Sequence, residues 1–104
     1  DSELKILHDK DNFGYALLFN NLGLLYLQKG EYGKAERYLK KALYINEKAL
    51  GEMHPTNGQS VNNLGLLYMY QNRFELAKKY LKRSLKITEL CMRFWKSHMK
   101  YTVF

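Results

Sequence analysis

Shifted by 42 residues, the sequence falls on itself: Asn20-Asn21-Leu22-Gly23-Leu24-Leu25-Tyr26 meets Asn62-Asn63-Leu64-Gly65-Leu66-Leu67-Tyr68 without a mismatch. The register holds downstream, with Ala35 on Ala77, Tyr38-Leu39-Lys40 on Tyr80-Leu81-Lys82, Leu43 on Leu85, Ile45 on Ile87 and Glu47 on Glu89. Fourteen of the 31 positions from Asn20 to Leu50 are identical. A period between about 20 and 50 residues marks stacked supersecondary units, each unable to bury its apolar side alone. The chain therefore reads as two copies of one unit that shelter each other.

Inside each copy the apolar spacing is helical. Phe19, Leu22, Gly23 and Tyr26, then Ala35, Leu39, Ala42 and Leu43, recur at steps of three and four, the period of one helix face. The pattern breaks at Gln28-Lys29-Gly30-Glu31 and at Gln71-Asn72-Arg73, where Gly30 and Asn72 suit the left-handed conformation that ends a helix. Each copy is thus a helix hairpin. Gly51-Glu52-Met53-His54-Pro55 joins the copies, with Pro55 expected in the first turn of the next helix. The spacing predicts helices over 13–28, 32–50, 55–70 and 74–95. Gly23 and Ala35, with Gly65 and Ala77, are expected where the two helices of a hairpin approach most closely.

Composition narrows the class. Of 104 residues, 46% are hydrophobic and 14% aromatic, too many core-formers for a disordered chain. The single Cys91 closes no internal disulfide, and no apolar run reaches the ~18 residues of a membrane span. A soluble protein of a reducing, cytoplasmic compartment is the expectation. Residues 1–52 carry eight basic and eight acidic side chains, whereas 53–104 carry nine basic and only Glu75 and Glu89, so the net +7 lies in the second half.

The order Phe19-x2-Leu22-Gly23-x2-Tyr26 followed by Ala35-x3-Leu39 resembles the tetratricopeptide repeat, in which an aromatic, Leu-Gly, Tyr and Ala-x3-Phe hold these places. The Asn-Asn-Leu-Gly opening, the period of 42 and Ala49-Leu50-Gly51-Glu52-Met53-His54-Pro55 are similar to the longer variety found in kinesin light chain and nephrocystin-3. Val61 replaces the aromatic, Ser84 stands where Ala42 does, and the second copy lacks the Leu-Gly-x-x-His-Pro segment. The resemblance implies an all-α, right-handed superhelical stack of antiparallel helix hairpins in a single domain. Residues 13–54 would be repeat 1 and 55–96 repeat 2. Residues 1–12 would be the tail of a preceding repeat or a flank, and 97–104 a C-terminal cap or truncated flank.

Beside the core stripe of the first helix, Leu17, Asn21, Leu24 and Gln28 form a second stripe, repeated by Gln59, Asn63, Leu66 and Tyr70. In the family first helices line the inside of the superhelix, so the resemblance places both stripes, with Asn20, Asn62 and Met69, on the concave surface. Asn21 and Asn63 match the family Asn whose carboxamide contacts ligand backbone. An amide that donates and accepts pairs with a peptide group whatever the ligand's sequence. Two of them on helices about 10 Å apart would meet peptide groups roughly three extended residues apart. The other reading is that both amides tie neighbouring helices together. The groove lacks the Lys or Arg by which other tetratricopeptide domains clamp acidic chaperone tails. That absence also weakens the analogy with the tryptophan-acidic cargo of kinesin light chain.

Lys78, Lys79, Lys82, Arg83 and Lys86 fall on one face of the last helix. In the family this face is convex, so it is either solvated surface or a site for an acidic partner, RNA or an anionic membrane surface. The apolar tail Phe94 to Phe104 is expected to cap the last open face, or else to meet a partner or a second copy through the open repeat end.

Catalytic chemistry finds no foothold. His8, His54 and His98 are more than forty residues apart, and none belongs to a spacing that ligates metal. Asp9-Lys10-Asp11-Asn12-Phe13-Gly14 begins like a calcium loop, then puts Phe13 at position five and Asn20 at twelve, where ligands belong. Gly30-Glu31-Tyr32-Gly33-Lys34 is too short for a phosphate loop. Cys91 reads as a small hydrophobe and His54 as a loop-fixing residue. No cofactor, no metal and no enzymatic activity are expected; the partner is a protein or peptide, with nucleic acid disfavoured.

Overall fold

The computed structural model describes residues 13–102, with side chains from 14 to 99. Four helices follow one another: α1 (Phe13–Gln28), α2 (Tyr32–Leu50), α3 (Asn57–Tyr70) and α4 (Phe74–Thr102). They pack as successive antiparallel pairs, α1 with α2 and α3 with α4, and α2 against α3 joins the two hairpins. The readings of residues 1–12 as the tail of a preceding repeat and of 9–14 as a turn lie wholly or largely outside the described residues.

The two hairpin turns are copies of each other. Glu31 N–H donates to the carbonyl of Tyr26 (2.9 Å) and Gly30 N–H to that of Leu27 (3.1 Å). Arg73 to Tyr68 (2.8 Å) and Asn72 to Met69 (3.0 Å) repeat the pattern 42 residues on. This is the paired helix-ending motif that needs a left-handed residue, supplied by Gly30 at φ +80° and Asn72 at φ +61°. Asn is the non-glycine residue that visits this region most readily, so the second turn keeps its geometry without Gly.

Gly23 and Gly65 set how closely the hairpins close, but not against the expected alanines. A Cβ built on Gly23 would lie 2.6 Å from Cγ of Leu39 and 3.2 Å from its backbone nitrogen. One on Gly65 would lie 2.5 Å from Cδ2 of Leu81. The long leucines, one turn beyond Ala35 and Ala77, fill the space that the missing Cβ leaves. Around them runs one core: Leu27, Ala35, Leu39, Leu43, Val61, Leu64, Leu67, Tyr68, Ala77 and Ile87, drawn from all four helices.

The unit boundary differs from the sequence reading in one respect. Gly51, at φ +93°, ends α2 as expected. Pro55 does not enter the first turn of α3; it sits in a preceding turn closed by Asn57 N–H to the His54 carbonyl and Gly58 N–H to the Pro55 carbonyl, both 2.9 Å. His54 Nδ1 accepts the Thr56 N–H at 3.2 Å, which fixes the loop. The buried Asn57 draws the joint closed, its Nδ2 donating to the carbonyls of Gly51 (2.7 Å) and Glu52 (3.1 Å).

The C-terminal expectation needs a larger correction. After Gly65 the sequence holds neither Gly nor Pro, so nothing stops α4 at residue 95 and it continues to Thr102. Through residue 102 the tail extends α4. Phe94 and Trp95 are left exposed beside Met53, Pro55, Ile87, Leu90 and Cys91, which together line an apolar groove of about 410 Å³.

Candidate functional site

The predicted binding residues divide into an open set and a covered set. Leu17, Asn21 and Gln28 of α1 are exposed, as are Gln59, Asn62, Met69 and Tyr70 of α3. Leu24 and Leu66 are half-buried against the core. Asn20 and Asn63 are buried, each 5% exposed. The expectation that Asn21 and Asn63 present matching carboxamides is therefore corrected: Asn21 is open and Asn63 is covered.

The reason lies in the helix step. Adjacent positions are about 100° apart around a helix, so one Asn of each pair turns toward the next unit and the other toward the preceding one. Asn20 faces the second unit, and its Oδ1 accepts the Ser60 hydroxyl at 2.8 Å; its counterpart Asn62 is exposed. Asn63, inside the molecule, keeps Nδ2 without a hydrogen-bond partner, as Asn46 does its Oδ1. Leu17 and Gln59 stand at the rim of a small cavity of about 130 Å³ between the units, lined also by Ala16, Asn20, Asn46, Thr56 and Ser60. Farther along, the rings of Tyr70 and Tyr32 stack with centroids 6.2 Å apart. An exposed apolar and amide surface thus runs over both first helices and bears no charged side chain.

The joint holds polar ties that the sequence pattern did not single out. Tyr68 donates its hydroxyl to Oε2 of Glu36 at 2.5 Å, and Lys40 (3.2 Å) and Arg73 (3.7 Å) stand beside the same carboxylate. Burial works against the Glu36 charge, but the Tyr68 hydrogen bond and the two cations outweigh it and hold the carboxyl below its ordinary range. Burial, reinforced by the Glu36 partner, pushes the Tyr68 phenol well above its ordinary value.

The basic face also loses a member. Arg83 turns into the joint, where its Nη2 lies 2.5 Å from Oε2 of Glu47 and 2.6 Å from the Glu52 carbonyl. Lys78, Lys79, Lys82 and Lys86 remain exposed and make no ion pair among the described residues. A second group of cations, unremarked in the sequence, covers the aromatic side of the first unit. Lys34 lies over the Tyr26 ring (5.3 Å), Arg37 over Tyr38 (5.7 Å), and Lys41 over both Phe19 (5.5 Å) and Tyr38 (5.3 Å), within the range of cation–π attraction. Burial against these rings lowers the Lys41 ammonium below its usual value.

No group of three or more His, Cys, Asp or Glu placed to hold a metal occurs among the described residues, and no helix there is long and apolar enough to cross a membrane. With the paired hairpins, their twinned turns and the glycine contacts in view, comparison with protein families is decisive: a family model described as tetratricopeptide repeat matches residues 14–89. The chain belongs to the tetratricopeptide repeat family. A search of curated proteins finds no match. The match begins inside α1 and ends inside α4, so the tetratricopeptide units account for both hairpins and their joint, and the last turns of α4 lie beyond it. A tetratricopeptide domain is typically non-catalytic, and no catalytic family is indicated.

Proposed function

We propose that this tetratricopeptide domain is a protein-interaction module that holds an extended partner segment along its first helices, α1 and α3. One observation carries the reading: the exposed side chains there are apolar or amide and none is charged, from Leu17 and Asn21 through Gln28, Gln59, Asn62, Met69 and Tyr70. Exposed apolar side chains beside amides that donate and accept suit a peptide whose backbone is read by hydrogen bonds. Amides alone supply too little, since each hydrogen bond contributes about 0.5–1.5 kcal/mol and micromolar binding needs about 8. Leu17, Leu24, Leu66, Met69 and Tyr70 supply the apolar remainder, while Asn20 acts from beneath by tying α1 to Ser60 of α3. The period of 42 aligns the units with the long kinesin light chain and nephrocystin-3 variety, and the lone half-buried thiol of Cys91 suits a cytoplasmic setting.

Selection from a displayed library of linear peptides tests the proposal. Enriched peptides are expected to lose at least tenfold in affinity with Leu17→Asp and with Tyr70→Ala, both exposed positions, while helix content stays unchanged. Failure to enrich any peptide, or binding indifferent to both substitutions, overturns it.

The four exposed lysines of α4 support a second reading, an acidic partner, RNA or anionic surface held on the opposite side. It predicts binding that falls steeply with salt and disappears when Lys78, Lys79, Lys82 and Lys86 become Gln.

A further inference from the structure

The joint between the two units has two faces, and each recurs uncovered at the opposite end of the molecule. On the trailing side of the first unit Leu43 is 6% exposed, whereas its counterpart Leu85 is 59% exposed. On the leading side of the second unit Leu67 is fully buried, whereas its counterpart Leu25 is 48% exposed. Ser60 and Leu18, and Asn57 and Tyr15, differ in the same sense. The units share one fold, so the difference comes from what covers them.

Charge follows the same register. Two ionic ties cross the internal joint, Arg83 to Glu47 and Arg73 to Glu36. Shifted by 42 residues, Arg83 becomes Lys41 and Glu47 becomes Glu89, again a cation and an anion. Arg73 becomes Glu31 and Glu36 becomes Lys78, a pair with its signs exchanged and still complementary. Lys41 lies on the leading face over Phe19 and Tyr38, and Glu89 and Lys78 are exposed on α4. We propose that the trailing face of one chain docks on the leading face of a second copy in the register of the internal joint, with Lys41 facing Glu89 and Glu31 facing Lys78. Leu85 then receives the cover that Leu43 has within the chain. Because the two faces differ, the contact is heterologous and each docked copy offers a fresh face, so association continues past the dimer. The Ser60–Asn20 tie is not reproduced, since Leu18 would stand opposite Asn62; the new joint is weaker than the internal one and forms at high concentration. The proposal is independent of peptide binding along α1 and α3.

Analytical ultracentrifugation of the whole chain at low salt tests it. The average mass is expected to climb with concentration from 12.4 kDa past twice that value without levelling at the dimer. Glu89→Lys alone and Lys41→Glu alone are each expected to remain monomeric, and their equimolar mixture to associate again, because every reversed face then meets one of opposite sign. Leu85→Arg, at an exposed site that leaves the fold intact, is expected to abolish growth without changing helix content. A mass of 12.4 kDa at every concentration, a dimer plateau untouched by Glu89→Lys, or a mixture that stays monomeric overturns the proposal.

Discussion

The Tyr68 hydroxyl, on the first helix of the second unit, donates to the Glu36 carboxylate on the second helix of the first, an O–H···O contact of 2.5 Å across the joint. Both hairpins must be formed and docked before it exists, so it reports on coupling between the units. A hydrogen bond to a charged group contributes about 1.5–3 kcal/mol. Tyr68→Phe keeps the ring against Tyr80 and Arg73, and Lys40 and Arg73 still attend Glu36. The expected loss is therefore near the lower end, about 1.5 kcal/mol, measured from the urea unfolding midpoint at constant slope. A midpoint equal to that of the unsubstituted chain would show that the contact contributes nothing.

The same pair sets how stability varies with pH. The Glu36 carboxyl sits below its ordinary value of 4.5 in the folded state, so its contribution is present above that pH and is lost as pH falls through the depressed folded value. The Tyr68 phenol sits above its ordinary value of 10.0, so its contribution is present below pH 10 and is lost as pH rises beyond it. Tyr68→Phe should flatten the alkaline decline and leave an acid decline reduced in size. Melting temperatures of the two proteins that stay parallel above pH 10 would contradict this.

Glycines predict opposite signs at two kinds of site. Gly65→Ala puts a methyl group 2.5 Å from Cδ2 and 2.7 Å from Cγ of the packed Leu81, and overpacking of this kind costs about 1–3 kcal/mol. Gly33→Ala, in the first turn of α2 with nothing within 4 Å of the new Cβ, should gain up to about 1 kcal/mol from helix propensity. Thermal melts of both single variants decide the matter, and a stabilised Gly65→Ala would mean that the helices separate freely.

How much of this was legible in the sequence follows from how local each cause is. Gly30 and Asn72 gave the turns away because a left-handed residue leaves a compositional trace wherever it is needed. The close approach at Gly23 was readable, but its partner was not: Leu39 rather than Ala35 fills the gap, and that depends on how one helix slides along the other. Asn20 and Asn63 were placed on the groove by the family resemblance, which does not say which amide of each pair the neighbouring unit covers. Arg83 left the basic face, drawn off by a carboxylate 36 residues away. The run of α4 to Thr102 was missed although its cause, the absence of any Gly or Pro after Gly65, was in plain view.

Asn57 carries the last prediction because its buried amide bonds two carbonyls of the inter-unit loop at once. Its Nδ2 donates to the carbonyls of Gly51 and Glu52, it is wholly buried, and its Oδ1 has no partner. Asn57→Ala removes one hydrogen bond from each of two carbonyls, leaving Gly51 with the longer His54 N–H contact (3.4 Å) and Glu52 with Arg83, and should cost about 2 kcal/mol. Asn57→Asp should cost more at neutral pH, because a carboxylate would face two carbonyl oxygens in a buried place. Its folded pKa would be raised, so its penalty should shrink as pH falls and the protonated acid recovers one donor. Unfolding midpoints of both variants at neutral and mildly acid pH give the answer. A variant Asp that is better tolerated than Ala at neutral pH would show that the loop, not the side chain, closes the joint.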